Sequence, residues 1–512
     1  MTPDRLKKWI FVLFISTLAM GLSACNNRSS DSSHAIIRFG ISSAPVTLDP
    51  LQATDATSAR INRLIYETLV EFGEDDLPVP GIASWQQLSQ RHYRFKLIKT
   101  SWFHHGKKLT ANDVKATYEA VLDKKNASPQ RNIIAHIQRI EVIDDNTIDF
   151  FLSRNDPLFP AFLTIGIMPV DQLAKHHPFN NQPVGSGPFK FSRWPFDGQL
   201  FLQRVSDGLT VEFLQVKDPT VRVLKLLRGE LDIIQNNLPP EHIAYLKQQK
   251  GIGFISRPGS NYIYLGFNLQ DPLTGDLQIR KAIAYALDKD KIIQYALGNA
   301  AQSARGFFPS RHWLGADLKA YDYNPDRARQ IMQLLGYSEH HPLQLSYKTS
   351  SDPFRIRIAT IIQSQLKKVY IDVDIRSYDW GTFYGDIKKG KFQLYSLTWV
   401  GIRTPDIFRY VFHSHSLPPG GANRGRLKDT LVDQLIAQAE QEMDLKKQAQ
   451  LYRQLQKRLN KLLPYISLWY EDNIAFYRDT IKDYRVSVDG NYDGLITAQK
   501  LKGSNKQGSN KK

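Results

Sequence analysis

Cysteine is almost absent: the 512 residues include one, Cys25, so no disulfide framework can hold the fold even in an oxidising compartment. Long apolar runs are scarce too. The single candidate, Trp9 to Leu22, is shorter than the ~20 residues a helix needs to span a bilayer core, which argues against a permanent transmembrane anchor. The marks of common catalysts are missing, with no G-x-S-x-G elbow, no H-E-x-x-H and no P-loop anywhere in the chain,. No period of 20 to 50 residues recurs, so a solenoid or propeller is not expected. Acidic residues are outnumbered, 50 against 67 Lys and Arg, for a formal net charge of +17. A basic surface of this kind suits anionic lipid, anionic glycan or an acidic ligand. The basic residues are spread along the chain, and nucleic acid is not expected as a partner.

What is present begins at the amino terminus. Arg5, Lys7 and Lys8 precede the apolar run, and Leu22-Ser23-Ala24-Cys25 closes it, the three-part layout of a secretory signal over residues 1–24. The small residue before Cys25 resembles the bacterial lipobox, which implies that Cys25 carries a lipid and becomes the first residue of the mature chain. Several acyl chains, at ~0.8 kcal/mol per buried methylene, hold a protein stably at a membrane surface. The expected location is therefore the bacterial cell envelope, lipid-anchored and facing the periplasm or the exterior. Asn26 rather than Asp after the cysteine favours release to an outer membrane where one exists. Residues 25–35 read as a flexible tether and residues 503–512, rich in Gly, Ser, Asn and Lys, as a tail.

The mature chain is long enough to bury a large core, and because single cores stop growing near ~250 to 300 residues it should divide into two or three lobes. Ile36 to Ile41 reads as a strand, and Ile61, Leu64, Ile65 and Leu69 recur at helical spacing between Ser58 and Val70,. Tyr93 to Leu97 alternates as a strand, and a helix starts at Thr110, with Asp113 in the capping-box position. Strands at Thr147 to Leu152, Phe189 to Phe191 and Thr210 to Leu214 alternate with helices near Thr220 to Arg228, Arg280 to Leu287 and Asp326 to Leu335. Two further helical stretches are expected, Phe354 to Val369 and a long one from Lys428 to Leu463 that stops before Pro464. The class is mixed α/β.

Six stretches, in order, resemble the bacterial extracellular solute-binding proteins of family 5, the group with the oligopeptide, dipeptide and nickel binding proteins. They are Pro45-Val46-Thr47-Leu48-Asp49-Pro50 with Ile65 to Val70, then Trp102 to Val114, Pro183 to Phe189, Leu227 to Ile233, Tyr264 to Asn268, and Ile279 to Asp288. Most of these residues read as structural: Gly185 and Gly187 as turn formers, Gly229 as a helix stop. The resemblance implies a two-lobed periplasmic-binding-protein-like fold (type II), with an extra subdomain in the first lobe and a hinge between lobes. The first lobe would comprise 36–57, 185–262 and 476–502, its subdomain 58–184, and the second lobe 263–475. It further implies a monomeric capture subunit, not an enzyme, which takes up peptides or a related small solute and meets an ABC permease and ATPase.

In peptide-binding relatives a Trp-x-x-Asp strand lines the cleft, and its Asp holds the ligand's ammonium. The matching stretch is Trp399-Val400-Gly401-Ile402-Arg403-Thr404-Pro405-Asp406. Ile402 stands where the carboxylate should be, so recognition of a free α-amine is not expected from this strand; Asp406 could substitute only through a shifted loop. Arg403 offers a guanidinium for a carboxylate or phosphate. The remaining expected ligand-binding residues are Ala44, Pro45, Trp469 and Tyr470, beside Trp399, Gly401, Ile402 and Arg403. No cofactor and no metal are expected, although His413-Ser414-His415 has chelating spacing and a metal- or haem-type solute is an alternative. Two other readings stay open, a periplasmic chaperone without an importer and a lipid-anchored hydrolase using Ser186.

Overall fold

The alternating apolar strand pattern near the mature amino terminus gives β1 (Ile36–Ile41), and a polar loop then leads into α1 (Ala56–Ile65), capped by Asp55, whose side chain accepts from the Ser58 N–H. This computed structural model describes residues 35–501 except 197 and 320. The signal peptide, Cys25, the tether up to residue 34 and the tail from 503 lie outside the described residues. The helix is shorter than its apolar spacing suggests: Tyr66 is already extended, and Leu69 is buried beyond it.

Next comes a separate four-stranded sheet built from β2 (Ala83–Ser89), β3 (His92–Leu97), β4 (Ile137–Asp144) and β5 (Thr147–Leu152), in the order β2-β3-β5-β4. Its apolar face, with Tyr93, Phe95 and Phe150, shares one core with Phe39 and Phe213 of the lobe behind it. The chain returns through β6 (Phe189–Phe196), β7 (Gln199–Arg204) and β8 (Thr210–Gln215), then β9 (Ile233–Gln235). β1 lies between β8 and β9, parallel to both. Gly185 and Gly187 have a reason other than turn formation. A Cβ on Gly185 would sit 2.0 Å from the Ile65 carbonyl oxygen and one on Gly187 would be 2.6 Å from that of Leu64, so the segment can cross the end of α1 only without side chains,.

Two long strands then join the lobes. β10 (Ile252–Phe267) runs out, β11 (Leu343–Ser350), β12 (Ile371–Tyr378) and β13 (Leu394–Trp399) build the second lobe, and β14 (Tyr465–Arg478) runs back antiparallel to β10. The continuous path is β12-β11-β13-β10-β14-β9-β1-β8-β7-β6. The side-chain period of two splits β10 between two cores: Ile263, Leu265 and Phe267 face one, Tyr262 and Tyr264 the other,. Layers of helix therefore cover the second lobe's sheet on both faces, and the molecule is a two-lobed α/β fold. The helical stretch expected from Lys428 to Leu463 is two helices, Thr430–Gln441 and Leu445–Leu462. Asp444 breaks it, its carboxylate accepting from the Lys446 and Lys447 N–H groups as an N-cap,.

Candidate functional site

The ladder between β10 and β14 is interrupted where the chain passes between lobes. Arg257 is opposite Asn473 and Asn261 opposite Glu471, so Pro258-Gly259-Ser260 bulges opposite Asp472,. Gly259 is needed here, since a Cβ would come within 2.1 Å of the Glu471 carbonyl oxygen. The interruption leaves Glu471, Asp472 and Asn473 as a polar segment within a strand that is apolar at both ends. A few irregular residues of this kind are what a hinge requires.

This polar segment floors a cavity of about 500 Å³ between the lobes. One wall is Arg60 of α1 with Asn236 to Pro240, which follow β9; the other is Ser350 to Arg355, which follow β11. Both walls stand outside the carboxyl ends of parallel strands, where strand order leaves a crevice in α/β sheets. Asn236 and Asn237 both take left-handed backbone angles, φ 56° and 53°, a conformation asparagine tolerates better than most residues. The Asn236 amide is fixed on β14, donating to Asn473 Oδ1 (2.9 Å) and accepting from the Ile474 N–H (2.9 Å).

Charge in this cavity is of both signs. Arg355 lies 3.8 Å from Glu471 and within 3.4 Å of Thr398 Oγ1. Burial pushes the Glu471 carboxyl up, with Arg355 and Asn261 opposing it. The Asp472 carboxyl is likewise raised by burial, against hydrogen bonds from Ser256 and Gln302. A cation placed beside these carboxylates would favour their charged form, which burial opposes. A ligand bearing both an ammonium and a carboxylate finds partners for each.

A second cavity of about 400 Å³ is enclosed by α1, the segment 161–166 and the loop Gly401 to Thr404. Two expected residues, Gly401 and Arg403, line it. The Arg403 guanidinium, however, is taken by the opposite lobe: it pairs with Asp489, lies 3.8 Å from Asp76 and sits 4.7 Å over the Phe72 ring. It holds the lobes together on protein carboxylates. Trp313 N–H donates to the Asp75 carbonyl at 3.1 Å beside it, and Arg357 meets Glu241 at 3.2 Å across the cleft. The lobes are closed on each other.

The other expected residues go elsewhere. Ile402 is buried in the second lobe's aromatic core, which suits an isoleucine and removes it from the cleft wall. Trp469 is fully buried in the opposite core. A bulge explains it: Ile263 pairs with Trp469 but Tyr264 with Ser467, so Leu468 is the extra residue and both Leu468 and Trp469 turn to one side,. Tyr470 is buried too, its hydroxyl donating to the Gly306 carbonyl at 2.6 Å. Trp399 is half-buried under the Arg424 guanidinium, 4.6 Å above its ring. Ala44 and Pro45 line neither cavity, and the following N–H groups of Val46 and Thr47 donate to Ser58 Oγ. Asp406 is a helix-start residue whose carboxyl accepts from the Thr404 hydroxyl. His413 leans on Asp433 at 3.9 Å, and among the described residues no group of three or more His, Cys, Asp or Glu could hold a metal ion. The Ser186 hydroxyl is buried without a hydrogen-bond partner among the described residues, so no base activates it.

Sequence reasoning missed Arg60, Asn236, Asn237, Arg355, Glu471 and Asp472. The signal that could have found the last two is the run Glu471-Asp472-Asn473 inside an otherwise apolar strand.

The sequence profile described as bacterial extracellular solute-binding proteins, family 5 Middle, matches residues 78–416, more than half of the chain. The dipeptide-binding protein of Escherichia coli (strain K12) is 26% identical over 88% of this chain and 92% of its own length. The oligopeptide-binding protein AppA of Bacillus subtilis (strain 168) is 24% identical over 92% and 94%. Among solved structures, the ABC transporter substrate binding protein CtaP of Listeria monocytogenes matches with a TM-score of 0.82 and 21% identity, over 92% of this chain and all of that one. Bacillus subtilis AppA in complex with a nonapeptide gives 0.73 and 23%, over 91% and 99%. These structural matches carry the fold.

Proposed function

The chain belongs to the bacterial extracellular solute-binding proteins, family 5, and from that premise we propose that it captures peptides, or a related zwitterionic solute, between its lobes and delivers them to an ABC importer. It is a solute-binding protein and not an enzyme. The observation that carries the ligand class is the interlobe cavity of about 500 Å³ with Arg60 and Arg355 on its walls and Glu471 and Asp472 on its floor. In this reading the hinge carboxylates take the ligand's ammonium, the role the Trp-x-x-Asp strand cannot fill with Ile402 turned into the core. An arginine takes the carboxylate, since a guanidinium presents paired donors to it. Closure replaces water around the ligand with these fixed groups and changes the outer surface that a permease meets.

The rest of the reading follows from the amino terminus. Cys25 carries the lipid anchor, the folded chain stands in the cell envelope outside the cytoplasm, and a monomer docks on the permease and ATPase assembly. No helix among the described residues is long and apolar enough to cross a membrane. Native mass spectrometry of the protein, purified without refolding and then gently denatured, tests the ligand class. A ladder of short peptide masses is the expected result. A single haem or metal-chelate mass would replace the peptide reading.

A further inference from the structure

Both ends of the described chain leave from one corner of the first lobe. The Ala35 carbonyl accepts from the Thr210 N–H at 3.2 Å, where β1 enters the sheet beside β8. Lys500 donates through Nζ to the Ile36 carbonyl at 2.7 Å and pairs with Asp232 at 2.7 Å. The Leu501 N–H donates to the Thr480 carbonyl at 2.8 Å. Ala35 and Lys500 line a cavity of about 680 Å³ together with Arg204, Ser206, Arg485 and Ile496. None of these residues lines the two cavities between the lobes.

The corner is held together from within and is apolar outside. The buried Arg204 guanidinium donates through Nη1 to the carbonyls of Leu495 (2.9 Å), Ile496 (3.0 Å) and Ala498 (2.7 Å), and through Nη2 to Asp207 (2.6 Å). Around it four aliphatic side chains stand 37–57% exposed: Ile36, Val205, Ile496 and Leu501. Lys500 and Arg204 tie them to one place, since Lys500 holds the Ile36 carbonyl and precedes Leu501, while Arg204 holds the Ile496 carbonyl and precedes Val205. Single exposed aliphatics are ordinary on a protein surface, but a group of them at one corner marks a contact. The folded part of the corner is close to neutral, because Arg204 and Lys500 are paired and exposed Lys482 and Arg485 face exposed Asp483.

The charge comes from the segment that starts here. Residues 502–512 hold Lys502, Lys506, Lys511 and Lys512 with no Asp or Glu. Residues 26–34 lead from Ala35 back to Cys25, and at ~3.3–3.6 Å per extended residue they let this corner stand no more than about 35 Å from the anchor. The lysines thus start beside the tether, in the layer next to the bilayer, where linkage makes weak contacts effective. Each lysine near an anionic surface raises affinity about fivefold, and aliphatic side chains that enter the interface add to it. We infer that this corner is a docking surface for an anionic phospholipid membrane, with the lysines of 502–512 on headgroup phosphates and the aliphatic patch in the interface. The inference rests on the proposed anchor at Cys25 for its location, not for its contacts. Docking fixes which side of the first lobe faces the bilayer.

The test uses the chain from Asn26 to Lys512, which contains every described residue and carries no lipid, so its outcome does not depend on the anchor. Vesicles of phosphatidylglycerol and phosphatidylcholine in equal amounts should sediment it at low salt, and vesicles of phosphatidylcholine alone should not. The combined variant Lys502→Gln, Lys506→Gln, Lys511→Gln and Lys512→Gln should bind at least about tenfold more weakly. A matched variant, Lys446→Gln, Lys447→Gln, Lys457→Gln and Lys461→Gln, removes the same charge from exposed positions of the second lobe's helix Leu445–Leu462 and should bind as the wild type does. Residues 26–512 contain no cysteine, so a polarity-sensitive dye can be placed on Ser206→Cys at the corner or on Leu334→Cys, 88% exposed on the second lobe. The dye should shift to the blue on anionic vesicles at Ser206→Cys and not at Leu334→Cys. No binding to anionic vesicles, equal weakening in the two lysine variants, or equal dye shifts overturns the docking surface. Retention on polygalacturonate without vesicle binding overturns it in favour of an acidic glycan. The anchor itself is decided by the mass of the mature protein from cells, where an unmodified Cys25 would overturn that reading, so the two failures are distinguishable.

Discussion

Replacing Arg403 with glutamine should open the molecule, and the size of the effect follows from what the guanidinium holds. It spans the cleft to Asp489 and Asp76, whose side chains are 13% and 4% exposed. In the closed form Arg403→Gln leaves both carboxylates buried without their cation; in the open form water reaches them. Truncating one partner of a buried charge pair costs about 2–5 kcal/mol. The lower half of that range applies, because Asp489 keeps hydrogen bonds from the Asn491 backbone (3.0 Å) and side chain (2.7 Å). The Asp76 carboxyl, already raised by burial, can also take a proton. A loss of about 2–3 kcal/mol shifts the open–closed equilibrium about 30- to 150-fold towards open.

Two readouts follow, small-angle scattering of the ligand-free protein and ligand affinity by calorimetry. If the free wild type rests closed, Arg403→Gln increases its radius of gyration. If it rests open, the full 30- to 150-fold appears as weaker binding, because the ligand must now fund closure without the pair. Arg357→Gln is the control: its pair with Glu241 is about half exposed on both sides, 52% and 54%, and exposed pairs are worth about 1 kcal/mol at most. Its effect should stay within about fivefold. Unchanged scattering together with unchanged affinity in Arg403→Gln would refute the account of closure.

Other expectations are more local. His312 stacks on Phe308 with ring centroids 4.1 Å apart, and it contacts the Arg403 carbonyl through Nε2 at 3.0 Å; burial lowers its pKa to about 4. A base whose folded pKa lies below its unfolded value of 6.5 contributes stability that is complete above pH 6.5 and declines as pH falls towards 4. Thermal unfolding across that window should show a loss on the order of 3 kcal/mol that His312→Gln largely removes; the same slope in the variant would assign the loss elsewhere. Gly185→Ala should prevent folding because its Cβ meets backbone at 2.0 Å. Gly385→Ala, inside the helix Trp380–Lys389 with nothing within 4 Å of the new carbon, should stabilise by about 0.5–1 kcal/mol in chemical denaturation,. Glu471→Gln should weaken dialanine about tenfold or more, as for a hydrogen bond to a charged group, and spare N-acetyl-dialanine. Equal loss for both would remove Glu471 from ammonium recognition.

The fold was legible because its signals are local and redundant. The alternation of Tyr262 to Phe267 and the helical spacing of Ile61, Leu64 and Ile65 survive tertiary packing, since each places one apolar face on a core,. The resemblance to family 5 added the order of the lobes. Errors arose where the backbone left the helical path while the apolar pattern continued. Asp444 splits a run that is helical by composition, and α1 stops at Ile65 while its apolar spacing continues to Leu69. Gly185 and Gly187 were legible as glycines but not for their reason, because close approach to α1 is a tertiary fact.

The site was much less legible, and the bulge at Leu468 shows why. A strand read at strict period two puts Trp469 and Tyr470 on opposite faces and offers one of them to the cleft. One inserted residue puts Trp469 in one core and Tyr470 in the other, and a second interruption three residues on hands the cleft to Glu471, Asp472 and Asn473 instead. Ile402 fits the same account. With Ile402 turned into the aromatic core, a charge at that position could not face a ligand, and the Arg403 guanidinium beside it pairs with the opposite lobe. In the proposed reading, recognition of charge falls to the interrupted strand between the lobes, whose Glu471 and Asp472 line the interlobe cavity. A ligand ammonium bound there would bear directly on the interrupted ladder at Pro258 to Ser260, so binding and closure would share the same residues.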